Sequence, residues 1–315
     1  MSVNETLFAS VVLELMRLAA IELPEPVLKK LHEKYDMETN QTARKQFEAI
    51  FNNCKIACDR QVPVCQDNGL TQIFIDFGQQ CKMEGNLEEA AKQAIAIATK
   101  AIPLRENAIH PLSKKNPGTN VEQNIPTIYW KPIVGVDYMD VTVIPKGNGS
   151  EMRNTHSWVL TSDDIGRATV RAVLDSVSDM MGEPCPPIII GVGLGGHFDS
   201  NAVLAKRALF REPIGAPSSD PMAASLEKEI LEAVNALKLG PMGFGGDTYA
   251  LAVHIEISGA HTAIVPITVA VECWCHRYSK ARIYSDGRVE FLTHPHGELG
   301  TIPLDYEIPK VIGKP

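Results

Sequence analysis

The stretch Pro186–Gly196, "PPIIIGVGLGG", constrains the fold more than any other part of the chain. An apolar run bounded by prolines and ending in glycines reads as a buried strand, and "DSNAVLAKRALF" (Asp199–Phe210) behind it reads as a helix. Together they predict a strand, a Gly-rich turn and a helix. The same alternation runs through most of the sequence. "TQIFIDF" (Thr71–Phe77) is a strand and "NLEEAAKQAIAIATKAI" (Asn86–Ile102) a helix capped by Asn86, while "IPTIYW" (Ile125–Trp130) and "MDVTVIP" (Met139–Pro145) are strands. "SDDIGRATVRAVLDSVSDMMG" (Ser162–Gly182) opens with a Ser/Asp cap signature and is helical, as is "DPMAASLEKEILEAVNALK" (Asp220–Lys238). The strands "YALAVHIEI" and "TAIVPITVAVECW" follow, and then "ARIYS" and "VEFLT" around an Asp286-Gly287 turn. Residues 4–60 read as a helical lead-in, broken at Glu22–Pro26 and near Asp36–Asn40, with Asn40 able to cap the helix behind it. No repeat, low-complexity tract or linker interrupts this order. The expectation is a single α/β domain over 1–315, mixed β-sheets packed with helices, with a helical lead-in (1–60) and a core (61–293).

Composition narrows the function classes. With 315 residues and 44% hydrophobic content the chain can bury a sizeable core without cross-links. A formal charge of −8 and the lack of any Lys/Arg-rich run argue against nucleic acid as a partner. The first twenty residues carry Glu5, Glu14 and Arg17 within their apolar pattern, so they predict an amphipathic helix, neither signal peptide nor membrane span. The expected compartment is the cytoplasm. Seven cysteines, spread from Cys54 to Cys275, make a poor disulfide framework and a better source of thiols or metal ligands.

Cys65, Cys185 and Cys273 each lie where a regular element begins or ends, which is where sites are built. From spacing alone the trio reads first as small apolar residues, with one shared metal or cluster site as the lesser reading. His254 and His261 with Cys273 offer a zinc set as a further possibility, against core hydrogen bonding for the two histidines. Cys54 and Cys58, one helical turn apart, fit packing in the helical layer. "GVGLGG" lacks the spacing of a dinucleotide fingerprint, and its glycines read as allowing close packing.

The blocks "PVCQDNG", "PLREN", "IPKGNGSE", "EPCPPIIIGVGLGGHFD", "GPMGFGG" and "HIEISGAHTAIVPITVAVECW", with Arg277, occur in an order that resembles the α subunits of two-subunit class I fumarases and the related L-tartrate dehydratases. That resemblance implies an oxygen-sensitive hydro-lyase with a [4Fe–4S] cluster. It implies Cys65, Cys185 and Cys273 as the metal ligands, with the fourth iron left open for substrate. It makes Gln66 and Asp67 substrate-contacting and Asp67 the acid/base candidate, aims Arg105 at a substrate carboxylate, and places Gly147 and Gly149 in the loop that closes over substrate. Two departures stand out: Asn68 where the family usually has threonine, and "MRNTHSW" (Met152–Trp158) where small and apolar residues are expected. Single-chain relatives carry a further domain, so a separate β subunit is implied, in an α2β2 assembly acting on a small dicarboxylate. Fumarate/malate is the leading substrate pair on the motifs, with L-tartrate as the alternative and a non-catalytic iron–sulfur or redox-sensing protein as the reading from another class.

Overall fold

The computed structural model describes residues 2–306; Met1 and the end of the expected domain, 307–315, lie outside them. In chain order the first elements are β1 (Val3–Asn4), α1 (Glu5–Ile21), α2 (Glu25–Met37), α3 (Gln41–Arg60), β2 (Leu70–Gly78), β3 (Met83–Glu84) and α4 (Leu87–Ala101). Next come β4 (Thr127–Ile133), β5 (Tyr138–Lys146), α5 (Asn148–Glu151), β6 (Thr155–Leu160), α6 (Ile165–Met180), β7 (Ile188–Leu194) and α7 (Phe198–Leu209). The last are α8 (Pro221–Ala236), β8 (Ala250–Ile257), β9 (Ile264–Glu272), β10 (Ser279–Tyr284) and β11 (Val289–Phe291). The fold is α/β with mixed sheets and an N-terminal run of helices. The predicted caps form: Asn40 Oδ1 accepts from the N–H groups of Thr42 and Ala43, and Asn86 and Asp164 cap α4 and α6; Asp220 caps α8 as well.

The chain gathers into two compact units. The first comprises Met1–Glu25, Asn53–Gly147 and the described part of Arg277–Pro315. Its five-stranded sheet runs β11-β10-β5-β2-β4, antiparallel except for the parallel pair β2–β4. The core forms where Phe8, Val12 and Leu15 of α1 and Ala91, Ala94 and Ile95 of α4 meet Ile73, Ile75, Val141, Val143 and Ile283 of the sheet. Helix α1 is buried more completely than the amphipathic helix that its charges predict. From Phe8 to Ile21 every residue except Ser10 and Arg17 is buried, Glu14 included, because Arg17 donates to both Glu14 carboxylate oxygens and neutralises the one acid inside.

The second unit, Pro26–Asn52 and Asn148–His276, is built on a four-stranded sheet in the order β6-β9-β7-β8. Strands β7 and β8 are parallel and the other pairs antiparallel. All seven residues of β7 are buried, as its unbroken apolar run predicts, and Val173 and Val177 of α6 and Ile230 and Val234 of α8 complete this core. The glycines of "GVGLGG" serve packing: a Cβ on Gly191 would stand 2.3 Å from the Ala205 carbonyl oxygen, and one on Gly193 2.5 Å from that of Asn201. Helix α7 therefore rests directly on β7. Strand β6 has no counterpart in the expected elements. As an edge strand most of its side chains are exposed, which weakens the apolar alternation that would have announced it.

Candidate active site

In the first unit the site grows from the start of β2. The chain enters it from an anchored segment: the Val64 N–H donates to the Ala20 carbonyl, and Asn53 Nδ2 donates to the Val64 carbonyl. Cys65 follows, half-buried, then exposed Gln66, half-buried Asp67, and buried Asn68 and Gly69. Asp67 Oδ1 accepts the Gly69 N–H at 2.9 Å and Asn107 Nδ2 at 3.2 Å, which helps to fix the carboxylate. Gly69 has φ +62°, and a Cβ there would lie 1.7 Å from the Lys146 carbonyl oxygen. Only glycine lets β2 start beside the end of β5.

The end of β5 delivers Lys146, which is buried, and then Gly147. A Cβ on Gly147 would lie 3.5 Å from Asp67 Oδ2 and 3.6 Å from Arg277 Nη2, so this glycine keeps space open directly against the carboxylate. Arg277, 3% exposed, joins the two strands' ends: its Nε donates to the Pro145 carbonyl at 3.1 Å and its Nη2 to the Asp67 carbonyl. Arg105 comes from the irregular stretch 104–110 and is exposed. Its backbone N–H and carbonyl both bond to the Asn68 side chain, and Asn120 donates to the same carbonyl. Among the described residues the Arg105 guanidinium has no hydrogen bond or ion pair, while the neighbouring Glu106 is engaged by Lys100. Asp67 and Gly147 thus lie together, and the Arg105 backbone is bonded to the side chain of the residue next to Asp67. Gln66 is exposed and hydrogen bonds to nothing among the described residues.

In the second unit two cysteine-bearing turns are drawn together. Cys185 has φ +55°, donates its N–H to the Gly182 carbonyl and accepts the Trp274 N–H at 3.0 Å, which ties it to the turn carrying Cys273. The "GPMGFGG" loop supports this turn, the Met242 N–H donating to the Pro186 carbonyl. That loop is itself held where the buried Glu38 carboxylate accepts the N–H groups of Asp247 and Thr248. Gly149 also belongs here, a Cβ on it standing 3.5 Å from the Glu183 carbonyl oxygen. Ser150 donates to Glu272 Oε1 at 3.3 Å, next to Cys273.

Exposure separates the thiols except for Cys58, which is exposed. Cys54, Cys81 and Cys275 are buried, and burial pushes the Cys54 thiol up to about 12 and raises that of Cys81. Cys58 is raised by burial and by the charges of Glu22 and Asp59. These four are poor sources of thiolate or are sealed in the core. Cys65 and Cys273 are half-buried and Cys185 exposed, each at the end of an element, and thiolates of this kind suit an iron–sulfur cluster. Among the described residues no three His, Cys, Asp or Glu side chains form a ready metal-holding group. The histidines of the possible zinc set are otherwise engaged. His254 is fully buried, its Nε2 accepting from the Gly215 N–H and its Nδ1 facing the Ala208 carbonyl, and burial pushes its pKa down to about 4. His261 Nδ1 accepts from the Ala263 N–H in an exposed turn.

Asn107 and Asn120, which hold the Arg105 stretch, were not among the residues singled out. Asn120 carries a signal only in three dimensions, being 3% exposed with φ +54°.

Comparison with known proteins identifies the class. Over residues 9–282 the chain matches the family described as Fumarate hydratase (Fumerase), and it is a hydro-lyase, an enzyme that adds or removes water, of the class I fumarase type. It belongs to the fumarate hydratase (Fumerase) family. A Methanocaldococcus jannaschii chain provisionally named L(+)-tartrate dehydratase subunit alpha is 40% identical over 284 residues, covering 89% of this chain and 99% of its own. The L(+)-tartrate dehydratase subunit alpha of Escherichia coli K12 is 31% identical over 277 residues, 88% of this chain and 91% of its own. No helix among the described residues is long and apolar enough to cross a membrane.

Proposed function

We propose that the chain is the α subunit of an L-tartrate dehydratase, which removes water from L-tartrate to give oxaloacetate and shares its active site with a separate β subunit in an α2β2 assembly. The names of the relatives favour L-tartrate over the fumarate/malate pair that leads on the motifs. The observation that carries the proposal is the Arg105 guanidinium, unclaimed by any described residue, on backbone bonded to the residue next to Asp67. A planar fork of N–H donors suits a carboxylate, and a dicarboxylate substrate needs such a grip to hold its reacting carbon still.

Arg105 takes one substrate carboxylate. Asp67, its plane set through Oδ1, moves a proton at the substrate as general acid/base, and Gly147 leaves the room for that atom to approach. Gln66, on the exposed turn, is free to bond the substrate. Gly147, between β5 and α5, and Gly149, within the short α5, lie on the segment that closes over it. Cys65, Cys185 and Cys273 would hold a [4Fe–4S] cluster. When bound it supplies an open iron that acts as a Lewis acid on the substrate hydroxyl and carboxylate. Fumarate hydration remains the second reading, favoured by "IPKGNGSE" and "GPMGFGG".

The test is anaerobic kinetics of the iron-loaded enzyme with its partner chain. Dehydration of L-tartrate should exceed that of L-malate at least about tenfold in kcat/KM, a difference of about 1.4 kcal/mol in transition-state binding. A preference for malate or fumarate would overturn the substrate assignment.

A further inference from the structure

We propose that Asn68 is the positioning residue for Arg105, its side-chain amide standing in for a neighbouring β-strand and fixing where the guanidinium meets the substrate carboxylate. The proposal rests on Arg105 binding substrate, as above.

The geometry is specific. Asn68 Nδ2 donates to the Arg105 carbonyl at 2.6 Å, and the Arg105 N–H donates to Asn68 Oδ1 at 3.1 Å, so one amide pairs with both polar groups of one residue. Asn68 is 2% exposed, so water cannot replace either bond cheaply. The stretch 104–110 has no helix or strand to satisfy its backbone. A second buried amide completes the mould: Asn120 Nδ2 donates to the Arg105 carbonyl at 2.9 Å, and its Oδ1 accepts the N–H groups of Asn107 and Ala108 at 2.6 and 3.2 Å. Asn107 then reaches back to Asp67 Oδ1.

The consequence follows from what the Arg105 side chain lacks. With no hydrogen bond or ion pair of its own among the described residues, its direction is set by its backbone, and its backbone is set by Asn68 and Asn120. Asn68 is also covalently next to Asp67. One side chain therefore fixes the spacing between the acid/base group and the carboxylate-binding group. A hydroxyl at position 68, as in threonine, presents a single atom and cannot stand opposite both the N–H and the carbonyl of Arg105.

A double-mutant cycle on the iron-loaded enzyme with its partner chain tests this. Asn68→Ala should raise KM for L-tartrate about tenfold or more with a smaller change in kcat and unchanged iron content, since misplacement by about an ångström can cost about a hundredfold. In an Arg105→Ala background the same substitution should cost less than about threefold, because there is no guanidinium left to misplace. Should Asn68→Ala not fold, Asn68→Thr, which keeps a hydroxyl for one of the two bonds, carries the same cycle. A full loss from the position-68 substitution in the Arg105→Ala background overturns the positioning role while leaving Arg105 as a substrate ligand. An Arg105→Ala enzyme as active as the parent overturns both.

Discussion

Replacing Gly147 by alanine should separate stability from activity. The Gly147 φ lies outside the left-handed region, and the new Cβ would meet Asp67 Oδ2 at 3.5 Å and Arg277 Nη2 and the Asp67 carbonyl oxygen at 3.6 Å, ordinary van der Waals distances. The folded protein therefore accepts the methyl, and the less flexible unfolded chain should stabilise it by about 0.4–1 kcal/mol. That corresponds to a thermal midpoint raised by about 1–4 °C for a chain of this size. Catalysis should move the other way. Reacting atoms must come within about 3–3.5 Å of each other, and the methyl occupies that shell around Oδ2, so kcat/KM should fall about a hundredfold or more. Differential scanning fluorimetry and steady-state kinetics on one preparation read both quantities. Unchanged activity would show that nothing reacts over Asp67 on the Gly147 side, and a midpoint lowered by several degrees would show that Gly147 is needed for packing.

Gly69→Ala should behave oppositely, since φ +62° and a Cβ 1.7 Å from the Lys146 carbonyl oxygen force the β2–β5 ladder apart; a loss above about 2 kcal/mol in urea unfolding is expected, and a loss under half of that would contradict the strain. The protein should also weaken in mild acid. Burial pushes His254 and His294 down to about 4, so between about pH 6.5 and 4 the unfolded chain binds protons that the folded one refuses. Stability from these imidazoles is complete above about pH 6.5 and falls as pH drops toward 4, by at most about 1.4 kcal/mol per pH unit for each. A urea midpoint that stays flat from pH 7 to 4.5 would refute this.

Local signals in the sequence carried the elements well wherever one residue type has one physical use. Asn86 and Asp164 cap helices, and the run through Ile188–Leu194 is buried on both faces. Helix α1 is buried more completely than expected because Glu14 and Arg17 look like a polar face until they are seen to neutralise each other. Strand β6 escaped because an edge strand has a weak alternation. In the candidate site, Asp67 and Arg105 were singled out through the motifs around them. The bonds that join them were not, because Asn68, Asn107 and Asn120 bond across 12 to 40 positions of chain and no local pattern announces such pairs.

The measurement closest to the central assignment is the iron content of single Cys→Ser variants after anaerobic reconstitution. The parent should take up about four irons per chain with a broad brown absorbance. Cys65→Ser, Cys185→Ser and Cys273→Ser should lose iron and activity together. The same change at Cys54, Cys58, Cys81 or Cys275 should leave iron in place, because these thiols are buried or raised. Loss of iron from Cys275→Ser with retention in Cys273→Ser, or stoichiometric zinc in place of iron in the parent, would contradict the account.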